Sequence, residues 1–148
     1  MILDVGCGNV RRGDVRVDRF RYSCEIGSQE GPVKTCANVL GVGEFLPFVD
    51  RCFGKVFSVH SIEHSGQPEL FLRELVRVCR GDVVVRCPHR FGSGAKRRFH
   101  RSFLNMRWFF RVLGRLGVMF EVRIVNYWSP IPYFLFLLPD EIEVMISC

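Results

Sequence analysis

The stretch ILDVGCGNVRRGDVRVD, residues 2–18, constrains the fold more than any other part of the chain. An apolar segment, residues 2–5, runs into Gly6 and Gly8, where a backbone without Cβ turns sharply and lets a ligand approach closely. A second apolar segment, residues 15–18, follows before a helix has room to form. A dinucleotide fingerprint needs a third small residue where Arg11 stands, and a helix N-terminus aimed at a pyrophosphate. If the two segments pair as parallel strands, the loop must return irregularly to the starting edge of the sheet. It is long enough: residues 6–14 reach about 30 Å when extended, against about 13 Å for a four-residue strand. The alternative is a plain β-hairpin with antiparallel strands.

Beyond residue 18 the chain alternates. Residues 33–36, 55–62 (KVFSVHSI) and 82–87 (DVVVRC) read as strands, the last stopped by Pro88. Between the last two, PELFLRELVRVCRG carries Leu70, Phe71, Leu75, Val76 and Val78 near helical spacing. Pro68 lies near its start, Arg77 and Arg80 near its end, and Gly81 is the expected stop. SFLNMRWFFRVLGRLG repeats the logic, with Ser102 as the expected N-cap, a stripe of Leu104, Trp108, Phe109, Val112 and Leu116, and Gly117 as the stop. Two alternating segments, MFEVRIVNYW and EIEVMIS, close the chain around the apolar SPIPYFLFLLPD, whose prolines 130, 132 and 139 oppose one continuous helix. This order implies an α/β fold: a Rossmann-like, mostly parallel sheet with helices on both faces, a shortened first crossover and a C-terminal antiparallel strand pair.

The 148 residues, 48% of them apolar, suit a single domain, 1–148, with one core. The longest apolar run, FLFLL, is far below the ~20 residues that span a bilayer, and nothing resembling a signal segment precedes the first strand. A soluble, cytoplasmic protein is therefore expected, with its seven cysteines as buried thiols. Of the 21 basic residues behind the +6 charge, all but Lys34, Lys55 and Lys96 are Arg, the side chain that pairs bidentately with carboxylate or phosphate. Nothing in the pattern sets an oligomeric state.

A parallel first pair selects a ligand that needs glycine access and an acidic ribose anchor but no phosphate cradle. S-adenosylmethionine is such a ligand, and Asp18, closing the second strand, is placed to accept both ribose hydroxyls. The successive stretches LDVGCG, VRVD, FLPFVDRCFGKVFSVHSIEH and ELVRVCRGDVVVRCPH resemble the motifs of class I S-adenosylmethionine-dependent methyltransferases, nearest the small branch called methyltransferase type 11, over roughly residues 2–120. The resemblance implies a methyltransferase with S-adenosylmethionine as cofactor. By position it assigns Asp4, Gly6 and Gly8 to the methionine part and Asp18 to the ribose, and it sets His60 beside the cofactor. Val42 stands where the family often has an acid near the adenine, leaving Gly43 and Glu44 as substitutes, and Gly54 stands where many members have Asp before the fourth strand.

Methyl transfer is an in-line displacement that depends on holding the acceptor close to the donor, and a base helps when the acceptor must lose a proton. HSIEH supplies His60, Glu63 and His64 as candidate catalytic groups; the alternative is that Glu63 and His64 begin a loop and bind backbone. As a metal motif, His60 and His64 lack a further ligand, so no metal is expected. The basic segment RCPHRFGSGAKRRFHRSF offers Arg90, Arg97, Arg98 and His100 for binding a small or anionic acceptor. Otherwise it is a solvated loop. Its interleaved aromatics also suit an unstacked base, so a non-catalytic or RNA-directed module using residues 86–101 is the alternative function. A nicotinamide-dependent oxidoreductase is opposed by the missing third glycine and helix. Arg11 and Arg12 either meet the cofactor carboxylate or face solvent, and IPYFLFLL covers the acceptor pocket, forms a partner surface or packs on the sheet.

Overall fold

The computed structural model of the chain describes residues 1–23, 32–90, 100–125 and 140–148. The strands are β1 (Ile2–Val5), β2 (Val15–Asp18), β3 (Tyr22–Ser23), β4 (Val33–Lys34), β5 (Val39–Leu40), β6 (Phe53–Val59), β7 (Cys79–Pro88), β8 (Met119–Val125) and β9 (Glu141–Ser147). Helix α1 (Pro68–Val78) lies between β6 and β7, and α2 (Met106–Leu116) between β7 and β8. Seven strands form one sheet in the order β5-β2-β1-β6-β7-β9-β8, while β3 and β4 pair apart. The sheet is parallel from β5 to β7, and β9 runs antiparallel to both β7 and β8. This is the expected mostly parallel α/β sheet with its closing antiparallel pair.

Leu3 lies opposite Val15 and Val5 opposite Val17 in a parallel ladder, so the first connection is a crossover and not a hairpin. Its return is clasped at the starting edge of β1. The Asp14 backbone N–H donates to the Ile2 carbonyl at 2.9 Å, and the Ile2 N–H donates back to Asp14 Oδ2 at 2.9 Å. A later segment, residues 36–38, props the loop. The Cys36 N–H donates to the Gly8 carbonyl at 2.7 Å, and Arg16 donates from Nε to the Cys36 carbonyl and from Nη1 to the Gly13 carbonyl, both at 2.8 Å. Asn38 completes the brace: its Oδ1 accepts from the Arg16 N–H at 2.7 Å and its Nδ2 donates to the Asp14 carbonyl at 2.9 Å.

That brace explains one correction. Residues 33–36 do not form the third strand of the main sheet: Val33 and Lys34 pair with Tyr22 and Ser23 in the small ladder, and the sheet resumes at Val39, opposite Val17. Gly81 is not a helix stop either. Cys79, extended at φ −91° and ψ 143°, ends α1 and begins β7 at once. Gly81 is needed inside β7, because a Cβ there would overlap the carbonyl oxygen of Gly54. Gly54 sits within β6, at the register shift between Phe53 and Lys55. It therefore belongs to strand packing and not to the segment before the strand. The cap of α2 is Asn105, whose side chain accepts from the Trp108 N–H at 2.9 Å, while Ser102 donates its hydroxyl to the Ser65 carbonyl. Gly117, at φ +66°, ends α2 as expected.

Helix α1 buries Phe71, Leu72, Leu75 and Val78, and α2 buries Phe109, Val112 and Leu113. They share one apolar core with Val56, Val83, Val85, Ile142, Val144 and Ile146 of the sheet. The described cysteines form no disulfide. Among the described residues, no helix is long and apolar enough to cross a membrane.

Candidate active site

From β1 the chain moves outward to β2 and β5, then returns to the other side of β1 as β6. The carboxyl ends of β1 and β6 thus flank a crevice, the place where open α/β sheets bind ligands. A cavity of about 590 Å³ opens there, a volume suited to a small molecule.

One wall is built for close backbone approach. Gly6 has φ +73°, and a Cβ on it would overlap the Ser61 side chain from the end of β6. Gly8, at φ +54°, donates its N–H to Asp18 Oδ2 at 2.9 Å, and the Phe20 N–H donates to Asp18 Oδ1 at 3.1 Å. These two bonds fix the Asp18 carboxylate against the cavity. A carboxylate offers about four acceptor positions, so about two remain for a ligand diol. Val42, Gly43 and Glu44 continue the wall. A Cβ on Gly43 would fall within the Phe71 ring, and Glu44 Oε1 accepts from the Ser65 hydroxyl at 2.5 Å. Arg12 also lines the cavity, on the side of the glycine loop.

Asp4 lies beneath the glycine loop. It is fully buried, does not line the cavity, and has no hydrogen bond to either carboxylate oxygen among the described residues. Burial pushes its pKa up to about 6, against the pull of the nearby Arg12 and Arg16 charges. The Cys7 thiol above it is pushed up to about 12, first by burial and then by the charges of Asp18 and Asp4, so it stays protonated.

The opposite wall carries imidazoles and carboxylates. His60 closes β6 in a left-handed conformation, φ +54°, and its N–H donates to the Arg86 carbonyl at 2.8 Å. A non-glycine residue held this way costs about 1–3 kcal/mol and persists only where its surroundings over-determine it. Its ring lies between two acids: Nε2 is 2.9 Å from Glu141 Oε1 and Nδ1 is 3.6 Å from Glu63 Oε1. Glu63 lies in the middle of a short turn of 3₁₀ helix, Ile62–His64, and is buried. The rings of His64 and His100 meet edge to face, with centroids 4.9 Å apart. His100 Nε2 stands 4.0 Å from Glu63 Oε1.

The fold therefore brings His60, Glu63, His64 and His100 together. It does not bring Arg90 to the cavity; that residue donates its backbone N–H to the Leu104 carbonyl. Arg97, Arg98 and the run IPYFLFLL lie outside the described residues. Arg86 points along the sheet in β7, paired with Glu143 of β9. Arg101, at the end of the basic segment 86–101, lines the cavity, and so do Ser61, Asp140 and Glu141, which no sequence motif marks. Glu141 has no motif around it; it arrives because β9 runs antiparallel to β7, which sets its first residue opposite Pro88.

Residues 3–87 match the model of a family described as "Methyltransferase domain". Ajmaline N-methyltransferase of Rauvolfia serpentina is 28% identical over 98 residues, which is 57% of this chain and 34% of that protein. The chain thus spans about a third of the length of this curated relative. Among solved structures, a methyltransferase from Thermotoga maritima described as a possible histamine N-methyltransferase superposes with a TM-score of 0.68 at 16% identity, covering 99% of this chain and 81% of that one. An S-adenosylmethionine-dependent methyltransferase from Archaeoglobus fulgidus gives 0.70 at 13% identity, covering 99% and 85%. At these identities the structural likeness is one of fold.

Proposed function

The chain belongs to the methyltransferase domain family, and from that premise we propose that it transfers a methyl group from S-adenosylmethionine to a small acceptor whose nucleophilic atom must lose a proton. The observation that carries this reading is one cavity whose first wall is the Gly6, Gly8 and Asp18 cradle and whose second is His60 between two acids.

The residues of the first wall fit the cofactor. Gly6 and Gly8, both at positive φ, present backbone to the cavity, Asp18 accepts ribose hydroxyls, and Arg12 offers charge to a carboxylate. When bound, S-adenosylmethionine supplies a methyl group activated by its sulfonium. On the second wall, His60 accepts the acceptor's proton, and Glu141, 2.9 Å from Nε2, orients the ring. Arg101 is a cation lining that end of the cavity that can meet an anionic group on the acceptor. Small size follows from the volume of about 590 Å³, which the cofactor and acceptor must share.

Calorimetric titration with S-adenosylhomocysteine tests the reading. Saturable one-to-one binding is expected, and no binding at all would overturn it. The RNA-directed alternative is weakened by the pairing of Arg86 with Glu143. Binding of RNA in place of S-adenosylhomocysteine, with steep salt dependence, would restore it.

A further inference from the structure

Glu63, His64 and His100 come from two chain segments, yet their ligand atoms all lie within 4.8 Å of one another. The segments are tied together before any ligand arrives. The N–H groups of Arg101 and Ser102 donate to the Glu63 carbonyl at 2.9 and 3.0 Å, and the Ser102 hydroxyl donates to the Ser65 carbonyl at 3.0 Å. Glu63 is only 2% exposed, and neither of its carboxylate oxygens has a hydrogen bond among the described residues. The nearest imidazole nitrogens stand off at 3.6 Å (His60) and 4.0 Å (His100). A buried carboxylate without close hydrogen bonds is costly, and a bound cation offsets that cost.

We propose that Glu63, His64 and His100 bind a divalent transition-metal ion of the zinc type at the second wall of the cavity. Nitrogen and oxygen ligands sit about 2.0–2.2 Å from such an ion, so a tetrahedral set has donor atoms about 3.4 Å apart. The observed atoms lie within 4.8 Å of one another, so closing on an ion shortens the widest spacing by about 1.4 Å. Two imidazoles and a carboxylate select a zinc-type ion over calcium or magnesium, which prefer all-oxygen sites. Three protein ligands leave one position open, and all three residues line the cavity. His60 is not part of the set, because its Nε2 is directed to Glu141. The HxxxH spacing therefore misdirects: the fold replaces His60 with His100, 36 residues further along than His64. The site stands on these contacts alone and does not depend on the methyl-transfer reading.

The full chain, stripped with a chelator, is titrated with Co²⁺ as a spectroscopic probe and then with Zn²⁺. One Co²⁺ per chain is expected, with visible d–d absorption, no thiolate charge-transfer band, and displacement by one equivalent of Zn²⁺. Glu63→Gln, His64→Gln and His100→Gln should each weaken Co²⁺ binding at least about tenfold, judged in variants whose circular dichroism and cooperative unfolding match the parent. Any two folded variants decide the matter. Absence of stoichiometric Co²⁺ binding, a thiolate band, or unchanged affinity in the folded variants would each overturn the site. S-adenosylhomocysteine binding by the unsubstituted protein is measured in parallel, so loss of the cofactor reading and loss of the metal site are separate results.

Discussion

On the outer side of β1 the strands are short, four residues in β2 and two in β5, whereas β6, β7, β8 and β9 run for seven, ten, seven and seven residues. The short side is held by side chains bonded to backbone: Asp14 to Ile2, Asn38 and Arg16 across the loop, Asp18 to Gly8. The long side is held by two helices burying apolar faces on the sheet. Apolar burial is non-directional and large in sum, while hydrogen bonds are individually modest but fix direction. The two sides differ in means: the outer side is specified by directional bonds, and the long side, which also supplies the second wall of the cavity, is specified chiefly by packing.

Substitutions on each side test that difference. Leu75→Ala, at a fully buried position of α1, should cost about 3–4 kcal/mol of unfolding free energy by chemical denaturation, with S-adenosylhomocysteine affinity kept in the folded protein. Asp4 should reveal itself through pH. Its pKa is raised in the folded state from 3.8 to about 6, so the stability tied to its protonated form is present below pH 4 and is lost as pH rises through about 6. The loss is roughly 2–3 kcal/mol, and Asp4→Asn should flatten that part of the stability profile. An unchanged slope would refute the assignment. Asp18→Ala should weaken S-adenosylhomocysteine about tenfold to thirtyfold, or about 1.4–2 kcal/mol, measured by calorimetry. A larger loss of stability than of affinity there would break the comparison. Smallest is Asn105→Ala, which removes the α2 cap at a cost of about 1 kcal/mol and should leave ligand affinity alone.

The long side was largely readable in the sequence, because helices and strands of seven or more residues carry a period. Leu75, Val78, Phe109 and Val112 are legible as core for that reason, while Leu72 and Leu113, buried beside them, widen each stripe beyond its simplest spacing. The short side was legible only where glycine and Asp punctuate it. Val39 and Leu40 are too few to show a period, and nothing around Asn38 signals that it braces a loop across 24 residues. Gly81 follows a helical pattern and reads as its end, while its reason lies in a neighbouring strand. The second wall of the cavity shows the same limit. His60, Glu63 and His64 are adjacent in sequence, but Glu141 and His100 join them only through strand direction and backbone bonding.

The clasp between Asp14 and Ile2 has a bearing on how such a domain changes. It anchors the far end of the first connection independently of what lies between, so the segment near Val10 and Arg11 is a natural insertion point. Lengthening a loop whose ends are already fixed costs only about 0.6 kcal/mol per doubling. A longer loop inserted there leaves β1 in register with β2, because the clasp between Ile2 and Asp14 lies outside it.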